Sequence, residues 1–240
     1  MINLRPANVV FMKRLNRSDK LTQTAVIFSS ALFIITSIVY FFPVQIPHKI
    51  AIPVGLIAIT SILLCPWQIT LALAFSAAGD YFGSVGELLA QMGCFAISHI
   101  WFIIYFALRF HRKVEFDRKM TPKAKGFATM VLFCTTALLI ASFTLIAPKT
   151  PTGILRIGTV VYTLLICSML ALALLQRSIL FALGAILFVF SDFILAWNLF
   201  VEPIPAAGYL IMVPYYLAQW LLYIRSASFR AKPEIRSLRF

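Results

Sequence analysis

The architecture turns on the stretch from Ile50 to Gly86, IAIPVGLIAITSILLCPWQITLALAFSAAGDYFGSVG. Its 37 residues carry one charged side chain, Asp80. A hydrocarbon core about 30 Å thick is crossed by roughly 20 helical residues, so the run is too long for a single span. Cys65-Pro66-Trp67 interrupts it, and proline lacks the N–H that would carry a helix through. The spacing predicts two short helices, 50–64 and 67–85. Six further apolar runs, at 22–42, 88–108, 127–147, 154–175, 179–200 and 205–224, bring the expected total to eight. The predicted fold class is all-α, a polytopic membrane helix bundle.

Composition points the same way. The 240 residues are 61% hydrophobic and 12% charged, with a mean hydropathy of +0.93, whereas soluble domains carry about 25% charged residues. No water-soluble domain of this length could bury so much apolar surface. The 22 phenylalanines suit lipid-facing helices. Cys65, Cys94, Cys134 and Cys167 lie far apart in apolar runs, with neither metal-site nor disulfide spacing, and read as buried thiols.

The net charge of +13 reads as topology rather than nucleic-acid binding. With eight spans and a cytoplasmic N-terminus, 18 of the 21 Lys and Arg fall on cytoplasmic segments; only Lys49, Lys149 and Arg156 do not. Treating 50–86 as one helix would put the N-terminal tail and the basic 109–126 loop on opposite sides, against the positive-inside bias. Both termini are therefore expected in the cytoplasm. The expected organisation is a basic tail over 1–21, a membrane domain over 22–225 and a basic tail over 226–240. About twenty polar and basic residues precede the first apolar run, unlike a cleavable signal peptide. The expected location is multi-pass in a bacterial inner membrane.

A carboxylate in hydrocarbon costs several kcal/mol and normally faces a cavity or a partner. Two lie within spans, Asp80 and Asp192, each about thirteen residues, or roughly 20 Å, from the cytoplasmic start of its helix. Each occupies the third helix of a four-helix half, in the similar contexts Ala-Gly-Asp80 and Phe-Ser-Asp192, so a parallel four-plus-four repeat is one reading of the chain. His99 descends about eleven residues, or roughly 16 Å, from the opposite side. The three titratable groups then share one layer. Asn198, Tyr215, Tyr216 and Gln219 can converge on it, while Ser98 and Ser191 ease close helix packing. Glu87 and Glu202 read as solvated charges at helix ends.

Two carboxylates confined together in a low-dielectric site cannot both ionise cheaply, which leaves one as acid beside another as base. Such a pair can protonate a substrate and activate water. The chain has no Gly-x-Ser-x-Gly or His-Glu-x-x-His motif, and its helical spacing supplies no paired metal ligands; neither metal nor cofactor is expected. Intramembrane acids also suit a proton-coupled transporter, and a non-catalytic lipid-binding membrane protein is the other alternative.

The stretch Ala-Leu-Gly-Ala-Ile-Leu-Phe-Val-Phe-Ser-Asp192-Phe-Ile-Leu-Ala-Trp-Asn198-Leu-Phe resembles the seventh-helix signature of the YhhN, or lysoplasmalogenase-like, membrane proteins. Ala-Gly-Asp80, the Gly93–His99 helix and Tyr215-Tyr216-Leu-Ala-Gln219 agree in order, so the resemblance covers about residues 55–225. The family pattern often places tyrosine three residues after the fourth-helix histidine. This chain has Phe102 there and Tyr105 one turn on. The resemblance implies hydrolysis of the vinyl ether bond of an alkenyl lysophospholipid, releasing a fatty aldehyde and a glycerophospho-alcohol. Asp80 and Asp192 would then be the acid/base pair, with His99 orienting a carboxylate or relaying its proton. Tyr215 or Asn198 would position water or glycerol oxygen, with Tyr216 and Gln219 also on the substrate-binding side. Arg156, at the outer end of the sixth span, would attract the lipid phosphate. The implied partners are the lysophospholipid and membrane lipid.

Overall fold

The computed structural model describes residues 6–117 and 122–230, with side chains over 20–111 and 125–227. These residues form eight helices: α1 (Pro6–Tyr40), α2 (Ile52–Leu64), α3 (Trp67–Ser84), α4 (Leu88–Asp117), α5 (Pro122–Leu145), α6 (Ile154–Leu175), α7 (Ile179–Phe200) and α8 (Ala207–Arg230). No strand occurs among them. Prolines mark several starts, because the first turn needs no N–H from them. Pro53 lies in the first turn of α2, Pro66 caps α3 and Pro122 opens α5. The chain breaks between α2 and α3 at Cys65, whose backbone is extended.

Among the described residues six helices are long and apolar enough to cross a membrane, and the chain is a multi-pass membrane protein. α2 has only 13 residues, and α2 and α3 form a closely packed hairpin. Such a hairpin returns the chain to the side it left whether or not it reaches the far surface. Charged segments are more helical than the sequence reading expects. α1 begins at Pro6, and α4 and α5 extend through most of 109–126, where the sequence reading expects a basic loop. Lys and Arg are good helix formers, so a charge marks where lipid ends rather than where the helix ends. The basic side chains from Arg5 to Arg17, from Arg112 to Lys123 and from Arg230 onward lie outside the described ones.

Helices α2, α3, α4, α6, α7 and α8 pack in a closed ring in that order. α1 lies outside it against α2 and α8, and α5 lies outside against α6. The arrangement repeats with a four-helix offset: α1 on α2 matches α5 on α6, and the tight α3–α4 pair matches α7–α8. Small residues allow those close approaches. A Cβ on Gly79 would lie 2.9 Å from the Phe95 ring, and one on Gly184 would lie 3.0 Å from Leu222.

The ring interior is aromatic, with Phe102, Phe106, Phe181, Phe188 and Tyr223 fully buried. The outer surface is apolar too: Leu63, Phe133 and Ile179 are among its most exposed side chains, as a lipid-facing surface requires. Cys65 and Cys167 are buried and Cys94 is half-buried, but Cys134 is exposed on the lipid side of α5 rather than buried.

Candidate active site

Asp80 and Asp192 each stand thirteen residues after the first residue of their helices, α3 and α7. Their surroundings differ. The rotation of α7 is fixed by the preceding residue, since the Ser191 hydroxyl donates to the Ile211 carbonyl of α8 at 2.9 Å. That turns Asp192 toward α4 and α6. There the Tyr162 hydroxyl of α6 donates to Asp192 Oδ2, and His99 Nε2 of α4 lies 3.6 Å from the same oxygen.

His99 Nε2 is also 3.1 Å from the Tyr162 hydroxyl oxygen. A hydroxyl has one proton to give. With that proton committed to Asp192, the tyrosine oxygen accepts from His99, which places the imidazole proton on Nε2. The result is a directed chain, from Nε2–H to the phenol and from the phenol to the carboxylate. His99 is wholly buried, and Nδ1 has no hydrogen-bond partner among the described residues. Its ring is held edge-on by Phe188 at 4.8 Å and by Tyr162 at 5.3 Å between centroids.

Asp80 is buried at 2% exposure and accepts a hydrogen bond from the Tyr215 hydroxyl of α8 at 2.9 Å. It has no cationic partner among the described residues. The Tyr215 ring packs edge-on against Phe95 and Phe188, with centroids 5.8 and 5.6 Å away. Phe188 thus touches both His99 and Tyr215. No hydrogen bond joins Asp80 to Asp192 among the described residues. The structure brings Asp192 together with His99, and Asp80 together with Tyr215.

Asp192 borders open space. A cleft of about 90 Å³ lies between α4, α5, α6 and α7. Asp192 and Tyr162 stand in its wall among mainly apolar residues, including Phe95, Ile166, Val189 and Leu199. The Asp192 side chain retains 12% exposure there. Asp80, His99 and Tyr215 are not part of that lining. Among the described residues, no three His, Cys, Asp or Glu side chains gather into a metal-binding group.

The remaining candidates sit apart from the cleft. Tyr216 donates to the Ile50 carbonyl at 2.9 Å and packs against Phe33 and Tyr40, on the α1–α2 side. The Asn198 side-chain oxygen accepts from the Ile204 N–H at 2.9 Å and closes the α7–α8 turn. Arg156 donates to the Thr150 and Pro148 carbonyls and holds the α5–α6 turn. Gln219 lies one turn beyond Tyr215, wholly buried, with neither amide atom hydrogen-bonded among the described residues. At Phe102, where the family pattern often has tyrosine, the ring is fully buried, and Tyr105 is buried near Phe106 and Phe181.

Tyr162 is the residue that sequence reasoning missed. It stands eight residues after the start of α6, as Asp192 stands eight before the end of α7, each about 12 Å deep. The depth count that groups the acids with His99 would have found it had phenols been included.

A family model described as the YhhN family matches residues 44–226, a span containing Asp80, His99, Tyr162, Asp192 and Tyr215. Lysoplasmalogenase TMEM86B of Mus musculus is 29% identical over 163 residues, covering 66% of this chain and 62% of the relative. Lysoplasmalogenase TMEM86B of Rattus norvegicus is 34% identical over 160 residues, covering 65% of this chain and 60% of the relative. The chain thus spans about three-fifths of the length of these curated relatives. No solved structure matches it.

Proposed function

The chain belongs to the YhhN family, and from that we propose a membrane-embedded hydrolase of the lysoplasmalogenase type, cleaving the vinyl ether bond of an alkenyl lysophospholipid. The observation that carries this reading is the Asp192–Tyr162 pair in the wall of an apolar cleft, with His99 hydrogen-bonded behind it. The names of the mouse and rat relatives support the choice of bond.

Vinyl ether hydrolysis starts with proton transfer to the β-carbon of the double bond. The carbon–carbon π pair takes the proton, and the ether oxygen shares the resulting positive charge as an oxocarbenium ion. A protonated Asp192 is placed to supply that proton, and the carboxylate it becomes stabilises the cation beside it. Water then adds to the charged carbon and returns its proton to Asp192, with Tyr162 and His99 orienting the carboxylate and sharing the charge. The hemiacetal collapses to aldehyde and glycerophospho-alcohol. No net proton is consumed.

Asp80 serves the same site from behind. It fixes Tyr215, whose ring buttresses Phe95 of the cleft wall and Phe188 beside His99. Asn198, Arg156 and Tyr216, engaged with backbone carbonyls and amides, hold the scaffold in this assignment. The charge distribution supports a cytoplasmic location for both termini. Purified protein in detergent, given an alkenyl lysophospholipid, is expected to release fatty aldehyde, and Asp192→Asn is expected to stop it. Saturable lipid binding without aldehyde would refute the hydrolase assignment.

A further inference from the structure

The cleft is shallow beneath its carboxylate. Along α7 its deepest lining residue is Val189, three residues or about 4.5 Å below Asp192. Along α6 it ends at Cys167, five residues or about 7.5 Å beyond Tyr162. A hydrocarbon chain filling one leaflet spans about 15 Å, half the apolar thickness of a bilayer. The cleft volume of about 90 Å³ corresponds to roughly six to nine water-sized sites at 10–15 Å³ each. The short reach below Asp192 accommodates the reacting bond and the first carbons, not a whole chain.

One way out of the cleft lies between α5 and α7. α5 packs principally on α6, while α7 packs on α6 and α8. The two helices therefore face each other across the cleft without packing together, with Leu138 and Ser142 on α5 and Leu195, Ala196 and Leu199 on α7. Leu199, one residue before the end of α7, lines the cleft and is also 46% exposed, so the cleft reaches the outer surface near the helix end.

We propose that a single-chain lipid enters this cleft sideways between α5 and α7, inserting only its linkage and first carbons while the rest of its chain stays in the bilayer. The inference rests on the hydrolase reading for the identity of the reacting bond, but not for the route. It has a thermodynamic signature. Chain atoms that remain in lipid exchange one apolar surrounding for another and contribute nothing to binding. Affinity at equal membrane mole fraction is then indifferent to chain length. A closed pocket would instead bind chains up to its own length and lose affinity sharply beyond it.

The test uses uncleavable 1-O-alkyl lysophosphatidylethanolamines in proteoliposomes of the full chain, in a series from dodecyl to octadecyl, with a photoactivatable diazirine on the first carbons beyond the ether linkage. Expected are saturable adducts on α5 and α7 around Leu138, Leu195 and Leu199, with half-saturating mole fractions differing by less than about twofold across the series. Ala196→Trp, which fills the gap, should abolish those adducts in protein that still folds. A length optimum of tenfold or more, or saturable adducts confined to α1, α2 and α8, would overturn the proposal, whether or not the tryptophan variant folds. Labelling needs no turnover. Adducts between α5 and α7 without aldehyde from an alkenyl lipid would uphold lateral entry and sink only the hydrolase reading. Aldehyde release with adducts elsewhere would do the reverse.

Discussion

Replacing Tyr162 by phenylalanine isolates the hydroxyl that joins His99 to Asp192. The ring is retained, so its edge contact with His99, 5.3 Å between centroids, survives and the fold should hold. What disappears is the donor to Asp192 Oδ2 and the acceptor for His99 Nε2. The two remaining partners stand 3.6 Å apart, beyond normal hydrogen-bond distance. A hydrogen bond to a charged group contributes about 1.5–3 kcal/mol, which corresponds to roughly 10- to 150-fold in rate when it acts in the transition state. The substrate's chain and headgroup do not depend on this hydroxyl, so the loss should appear in kcat with KM changed by less than about threefold. Aldehyde release from an alkenyl lysophosphatidylethanolamine, measured in detergent beside a thermal unfolding midpoint, separates the effects. Wild-type kcat in folded Tyr162→Phe would refute the relay assignment.

Five further substitutions probe the surroundings. If Asp80 acts through Tyr215, Asp80→Asn and Tyr215→Phe should lower kcat by similar factors, and the double variant should lose little more; fully additive losses would separate the residues. Tyr216→Phe removes the bond to the Ile50 carbonyl and should cost about 1 kcal/mol of stability in denaturant titration with kcat unchanged. A Cβ on Gly158 would lie 2.4 Å from the Met92 methyl, and Met92 lines the cleft. Gly158→Ala should therefore displace that flexible end, reducing turnover several-fold with stability altered by less than about 1 kcal/mol. Gly79→Ala meets the Phe95 ring, which has no comparable freedom, and should cost about 1–3 kcal/mol in the same titration.

Much of the helix layout was legible because hydrocarbon imposes a length and proline imposes a break. The run at 50–86 exceeds one span, and Cys65-Pro66 is where the α2–α3 chain turns. Helix ends in charged segments were less legible, since Lys and Arg mark the membrane boundary without stopping a helix; α4 accordingly continues to Asp117. The shared depth of Asp80 and Asp192 followed from counting, but their separate partners did not. Tyr215 and Tyr216 are adjacent and therefore about 100° apart around α8. Which one meets Asp80 depends on helix rotation, set by contacts such as Ser191 to the Ile211 carbonyl, which no spacing reveals. Arg156 and Asn198 bond to turn backbone, and those turn conformations were equally hidden.

The most direct measurement is hydrolysis of an alkenyl lysophospholipid by purified protein in heavy water, with mass analysis of the aldehyde trapped as it forms. Proton delivery to the β-carbon by a carboxyl in exchange with solvent predicts one deuterium on the carbon next to the aldehyde group, and no product from folded Asp192→Asn. Aldehyde without that deuterium, or undiminished release by the Asp192 variant, would contradict the proposed chemistry.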